Sequence, residues 1–310
     1  MVLARRDWAA AARMAGALDA RGGVAERHGN RRATMSLLTL RELALAGMAG
    51  LIGWAAPAAA QQKAAPPVFS WDRTIGWIGM GEFQPVPGRA PPLTNDPKHP
   101  FVPNGQGRQP TYRIADLNNP NLKPWVKEIM KKDNDEVLAG KIAFTPSQSC
   151  MPSGVPGFLA LGGNQNPYWF LQSPKEVWIM RAADSQVRRV YLDVPHSANP
   201  KSSWYGESVG HYEDDALVVD TIGLNTKTFV DAYRTPHTEK LHVVERWRMV
   251  NDRQAMEVTF TVEDADTYYE PWSGMRRFRR VARGFEEEIC AEGNHQLFDY
   301  NTPVASKPDF

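Results

Sequence analysis

"LHVVERWRMVNDRQAMEVTFTVED", residues 241–264, is the stretch that decides the fold. Two runs of alternating apolar and polar residues flank the turn-forming tetrapeptide "NDRQ", and a period of two on both sides of a turn specifies a β-hairpin. In the first arm Leu241, Val243, Glu245, Trp247 and Met249 share one face, while His242, Val244, Arg246 and Arg248 share the other. In the second arm Met256, Val258, Phe260 and Val262 oppose Glu257, Thr259 and Thr261.

The texture continues on both sides of the hairpin. "KEVWIMRAADSQVRRVYLD" (175–193) reads as two strands around "AADSQ", "DDALVVDTIGLN" (214–225) as another, and "MRRFRRVARGFEEEICAEG" (275–293) as a last pair around "ARG". Upstream, "PVPGRAPPLTNDPKHP" (85–100) and "VPNGQGRQP" (102–110) are too rich in Pro, Gly and Asn for a central strand, so residues 61–123 are expected to wrap over a core built elsewhere. One helix is expected, in "LKPWVKEIMKKDNDEVLAGK" (122–141), with Pro124 near its start and Trp125, Ile129 and Met130 on one side. The expectation is a mainly β protein: an antiparallel meander closing into a lipocalin-like barrel, with an extended Pro/Gly-rich N-terminal wrap and few helices; such a barrel can hold a small ligand if its strands number about eight.

Residues 43–60, "LALAGMAGLIGWAAPAAA", carry no charge, follow a basic stretch and end in small residues. This is the layout of a secretory signal peptide cleaved near Ala60, with a retained anchor or helical arm as the alternative. Arg31 and Arg32 form a weak twin-arginine pair, and Met35 is well placed as the true start. The expected organisation is therefore 1–60 as upstream extension plus signal peptide, 61–149 as wrap and short helix, and 150–310 as the barrel domain.

Eight of the 36 Lys and Arg fall in residues 1–60 against four of the 35 acids, so the remainder carries a formal net charge of about minus three. No basic surplus draws it to nucleic acid or to anionic lipid. The expected location is periplasmic or secreted, with no stable membrane span in the mature chain. Cys150 and Cys290 are the only cysteines. In an exported chain they are expected to be joined, two separate buried thiols being the alternative.

From about Cys150 to Gly293 the chain resembles a widespread, largely uncharacterised family of exported bacterial proteins. The family signature approximates "GHSxGRWEGDTLVVDT", then "PHSE" or "PHTE", "LHVVERF" and "CHEGN"; the corresponding words here are "ESVGHYEDDALVVDTIGLN", "VDAYRTPHTEKLHVVERW" and "ICAEGN". The resemblance points to Glu213, Asp215, Asp220, Thr221, Asp231, His237, Glu239, His242 and Glu245. The chain departs from the pattern at Tyr212, Asp214 and Ala216, where Trp, Gly and Thr are usual. The resemblance implies no particular activity.

The candidate site starts from His237 and His242, five positions apart. Their odd spacing forbids one strand face, so His237 is expected on a loop, folded over the rim toward His242 and Arg246, with Asp231 and Tyr205 as partners. The alternative is that His237 orders its loop and His242 is partly exposed. His211, Glu213, Trp178, Trp204, Tyr212, Glu245, Trp247 and Trp272 are the candidate lining of a pocket for a hydrophobic or aromatic small molecule. No nucleotide loop is present: "GFLALGGNQNP" (157–167) lacks the Lys-Thr or Lys-Ser that would follow its glycines. Zinc or iron would need His237 and His242 joined by Asp231 or His211, a spacing of low specificity. The expected function is a cofactor-independent proton-transfer enzyme, an isomerase or lyase, in which Arg246 balances developing negative charge. A lipocalin-like binding protein without turnover and a metal-dependent enzyme are the alternatives.

Overall fold

The computed structural model describes residues 67–69, 74–101, 110–160, 167–181, 186–287 and 289–290. The expected signal peptide and upstream extension lie outside the described residues. Nine described strands form a closed barrel: β1 (Gly76–Pro85), β2 (Tyr168–Gln172), β3 (Glu176–Arg181), β4 (Gln186–Leu192), β5 (Glu207–Glu213), β6 (Ala216–Ile222), β7 (His242–Val250), β8 (Ala255–Glu263) and β9 (Trp272–Val281). Each strand pairs with its neighbours in sequence, and β9 returns to β1, from Gly76 opposite Val281 to Pro85 opposite Gly274.

The expected antiparallel barrel is present and closed, and it is corrected in one pairing. With nine strands, directions cannot alternate all the way round a closed sheet, so at least one pair must be parallel. It falls between β4 and β5, where Val190 faces Ser208 and Leu192 faces Gly210. A parallel pair needs a connection that runs back along the barrel. Residues 193–206 supply it, and they carry His196, Trp204 and Tyr205.

The hairpin at 241–264 forms as its alternation predicts. Trp247 faces Val258 and Glu245 faces Phe260 across the β7–β8 ladder, and Asn251, Asp252 and Arg253 all take positive φ in the turn. Two other expectations are corrected. The region read as wrap supplies β1, which closes the barrel, and in the expected second arm after "ARG" the described residues, 285–287 and 289–290, contain no strand, the rest of that arm lying outside the described residues. Gly79 explains part of the disguise in β1: a Cβ there would stand 2.7 Å from Arg276 Nε, so the strand gives up a side chain where the arginine packs.

The helix α1 spans Pro124–Leu138 with proline in its first turn. Its buried face is Val126, Met130, Asp133, Asn134 and Val137, whereas Trp125 and Ile129, expected to share one side with Met130, are exposed. Asn134 replaces a strand partner: its Oδ1 accepts from the Ala115 amide at 3.1 Å and its Nδ2 donates to the Ala115 carbonyl at 3.0 Å. A second short helix, α2 (Gly157–Ala160), buries Phe158 and Leu159 in the main core. There the Phe158 ring packs 6.4 Å from Trp247, and Trp247 lies 5.4 Å from Phe170 and 5.7 Å from Phe278. Cys150 and Cys290 are joined by a disulfide.

Candidate functional site

The cleft that gathers polar groups on an apolar frame lies where three connections meet the start of β9. Pro91 and Leu93 come from the segment after β1, Asn119, Asn121 and Leu122 from the approach to α1, Asp231 from the β6–β7 loop, Tyr268 from the β8–β9 loop, and Trp272 from the start of β9. Backbone bonds fix these pieces together. Ser273 N donates to Ala90 O at 3.0 Å and Lys123 N donates to Thr267 O at 3.0 Å. Asn121 clamps the β8–β9 loop, its Oδ1 accepting from the amides of Tyr269 and Glu270 and its Nδ2 donating to Glu270 O.

At the floor, Asp231 is 3 % exposed and its carboxyl is held above the usual aspartate range by burial. It organises its own loop: Oδ1 accepts from the amides of Tyr233 and Thr235, and Oδ2 accepts from the Thr235 hydroxyl at 2.7 Å. Tyr268 and Trp272 meet edge to face with ring centroids 6.1 Å apart. The Tyr268 hydroxyl and the Trp272 indole nitrogen are both buried, and neither reaches hydrogen-bond geometry with any protein group. The two groups do interact weakly with each other, and burial holds the phenol well above its ordinary pKa, so it keeps its proton. The space open to the centre of a water molecule is about 10 Å³, room for one water.

His237 is placed differently from a pocket-mouth residue. It is 3 % exposed, its Nδ1 lies 2.9 Å from Thr238 O and its Nε2 lies 2.8 Å from Thr228 Oγ1. A carbonyl can only accept, so Nδ1 carries the proton and Nε2 accepts from the threonine hydroxyl, which leaves no ring nitrogen free. Burial lowers its pKa, and the neutral ring orders the loop together with Asp264, which accepts from the Thr238 amide and hydroxyl.

His242 belongs to a second cluster, on the outer wall. Its Nε2 and that of His196 each stand 3.0 Å from the same oxygen, Asp220 Oδ1. The other nitrogens face Glu263 at 3.1 Å and Glu207 at 3.0 Å, and Glu207 also accepts from the amide and hydroxyl of Ser197. Each carboxylate oxygen in these contacts can only accept. The hydrogen bond to Asp220 raises the pKa of His242, and the same bond lowers that of Asp220.

The remaining candidates disperse. Arg246 pairs with Glu213 at 2.7 Å on the outer wall, and His211 is exposed. Trp178 faces outward, its indole donating to Glu176 at 2.6 Å. Trp204 is half-buried in the β4–β5 connection, while Tyr205 packs on Phe158 with centroids 6.4 Å apart. Tyr212 accepts from Gln172 at 2.8 Å. Glu245, fully buried, forms a forked ion pair with Arg188, whose guanidinium also donates to Ser208 and Thr221. Asp214 takes φ 52° in the β5–β6 turn, a left-handed geometry that aspartate tolerates.

The structure thus unites Asp231 with Trp272 and, elsewhere, His242 with Asp220. The metal set of His237, His242, Asp231 and His211 does not assemble, and among the described residues no group of three or more potential ligands is arranged to hold a metal ion. Sequence reasoning left out Tyr268, His196 and Arg188. Of these only Tyr268 carries a signal in the sequence, as an aromatic residue four positions before the candidate Trp272. Among the described residues no helix is long and apolar enough to cross a membrane. No protein-family model, no curated protein and no solved structure matches the chain.

Proposed function

We propose that the protein is an exported, lipocalin-like barrel that binds a hydrophobic or aromatic small molecule without turning it over. The carrying observation is the closed barrel with a continuous aromatic interior, in which Phe158, Tyr168, Phe170, Trp247 and Phe278 lie within ring-contact distance of one another. Aromatic walls with a few fixed polar groups are the usual make-up of sites for such ligands. The disulfide supports an oxidising compartment.

Proton-transfer catalysis is the second reading, and one observation favours it: Asp231, its pKa raised by burial, shares a cleft with the Tyr268 hydroxyl. A thermal-shift panel of neutral hydrophobic metabolites tests the binding reading, since a ligand of the native state raises the melting point by linkage. A dose-dependent rise with unchanged ligand supports a carrier. Chemical conversion of the bound compound by the wild type, lost in Asp231→Asn, supports the enzyme. A panel that leaves the melting point unmoved contradicts both.

A further inference from the structure

The Tyr268 hydroxyl and the Trp272 indole nitrogen are two buried polar groups lining one cleft; neither meets a partner in good hydrogen-bond geometry, and the weak approach of the indole N–H to the phenol oxygen leaves the phenol hydrogen without an acceptor. A buried polar hydrogen left without a partner is costly, so a phenol hydrogen with no acceptor beside a poorly bonded indole N–H marks a place where an acceptor from outside belongs. The indole nitrogen can only donate. Asp231 beside them has both oxygens engaged by Tyr233 and Thr235, so an ionised carboxylate guest would meet a carboxyl that has no proton to spare once ionised.

We propose that this cleft receives a neutral acceptor oxygen, a carbonyl, ether or hydroxyl, carried by a hydrophobic molecule whose body rests at the mouth against Pro91 and Leu93. This inference rests on the small-molecule-binding reading and narrows it. The cleft fits the tip of such a molecule and not the whole of it, because the inner space has room for a single oxygen the size of water. Exposed Pro91 and half-buried Leu93, Asn119 and Asn121 form the entrance, while Leu122, Asp231, Tyr268 and Trp272 are buried below them.

The test uses acetophenone and its carbonyl-free analogue ethylbenzene on the disulfide-bonded mature chain. Binding is followed by titration and by the resonance of the Trp272 indole N–H. Acetophenone is expected to move that resonance downfield, and Tyr268→Phe to weaken its binding by about 3- to 10-fold, the value of one hydrogen bond. Ethylbenzene is expected to bind the wild type and the variant alike. Tyr268→Phe removes a hydroxyl whose hydrogen has no acceptor and whose oxygen is only weakly approached by the Trp272 indole, so its melting point is expected to hold or rise; a marked fall would show a structural hydroxyl and overturn the inference. Binding of acetophenone with an unmoved indole resonance and no effect of Tyr268→Phe leaves the barrel a binding protein and removes the cleft from its site. Failure of acetophenone to bind at all overturns the cleft inference, and the wider reading falls with it only if the thermal-shift panel is blank as well.

Discussion

Oδ1 of Asp220 lies 3.0 Å from Nε2 of His242 on the outer wall of the barrel. The bond ties β6 to the start of β7, and because the same oxygen faces His196 it also ties the β4–β5 connection to the wall. A contact made of titrating groups gives the fold a pH signature.

The folded-state pKa of His242 is raised, first by the hydrogen bond to Asp220, so its contribution is fully present below the ordinary value of 6.5 and is lost as pH rises through the raised one. Asp220 is lowered by the same bond, and its contribution is present above the ordinary 3.8 and lost as pH falls through the lowered value. The melting difference between wild type and His242→Gln is therefore expected to be largest near pH 5 and to shrink by pH 9. Partial exposure keeps it to about 1 kcal/mol or less. A difference that stays flat across that range would show that the bond carries no linked protons.

His237 has the opposite sign. Burial lowers its pKa, so the unfolded chain takes up a proton first and stability falls as pH drops below 6.5. His237→Ala is expected to cost about 1–3 kcal/mol near neutrality, because Thr228 and the Thr238 carbonyl lose their partner. The variant should lose less stability than the wild type between pH 7 and pH 5. Denaturant melts at the two pH values check both statements, and an undiminished acid loss in the variant would contradict the neutral-ring assignment.

Inside the barrel, Arg188 and Glu245 are almost wholly buried and saturate each other's hydrogen bonds. Arg188→Met strands a buried carboxylate and is expected to cost about 3–5 kcal/mol, whereas the double variant Arg188→Met, Glu245→Leu is expected to recover most of that loss. Urea denaturation of the single and double variants gives the coupling directly. A single variant that loses under about 1 kcal/mol would show that water reaches the pair.

What the sequence disclosed followed the strength of the local pattern. The β7–β8 hairpin was legible because Val243, Trp247, Val258 and Phe260 alternate without interruption around a polar turn. β1 was hidden because Gly76, Gly79 and Gly81 stand where apolar residues would show the period, and β5 because "ESVGHYE" mixes Gly210 and charged residues into its alternation. Asp231 and Trp272 could be named as candidates, but their meeting depends on the β6–β7 loop reaching the start of β9, a long-range relation with no local trace. His196 sits on a Pro-flanked connection, and only the parallel β4–β5 pairing carries that connection past Asp220. His237 was misplaced for a physical reason. A histidine after proline signals a loop, and nothing in spacing distinguishes a ring turned outward from one bonded to Thr228 and Thr238.

The disulfide closes a loop with a sequence separation of 140. In the chain-entropy model the double variant Cys150→Ser, Cys290→Ser is expected to lose about 3–5 kcal/mol. Denaturant midpoints of the variant and of the oxidised wild type measure it. A loss under about 1 kcal/mol would mean that residues 150 and 290 are held together equally well by packing.

Native mass spectrometry of the protein, purified without denaturation and then exposed to an extract of neutral hydrophobic metabolites, tests the central claim most directly. The account predicts one organic molecule of low polarity per wild-type chain, containing a carbonyl, ether or hydroxyl oxygen, and a lower occupancy in Tyr268→Phe at equal melting temperature. A bare polypeptide mass for both proteins after exposure to the extract would contradict it.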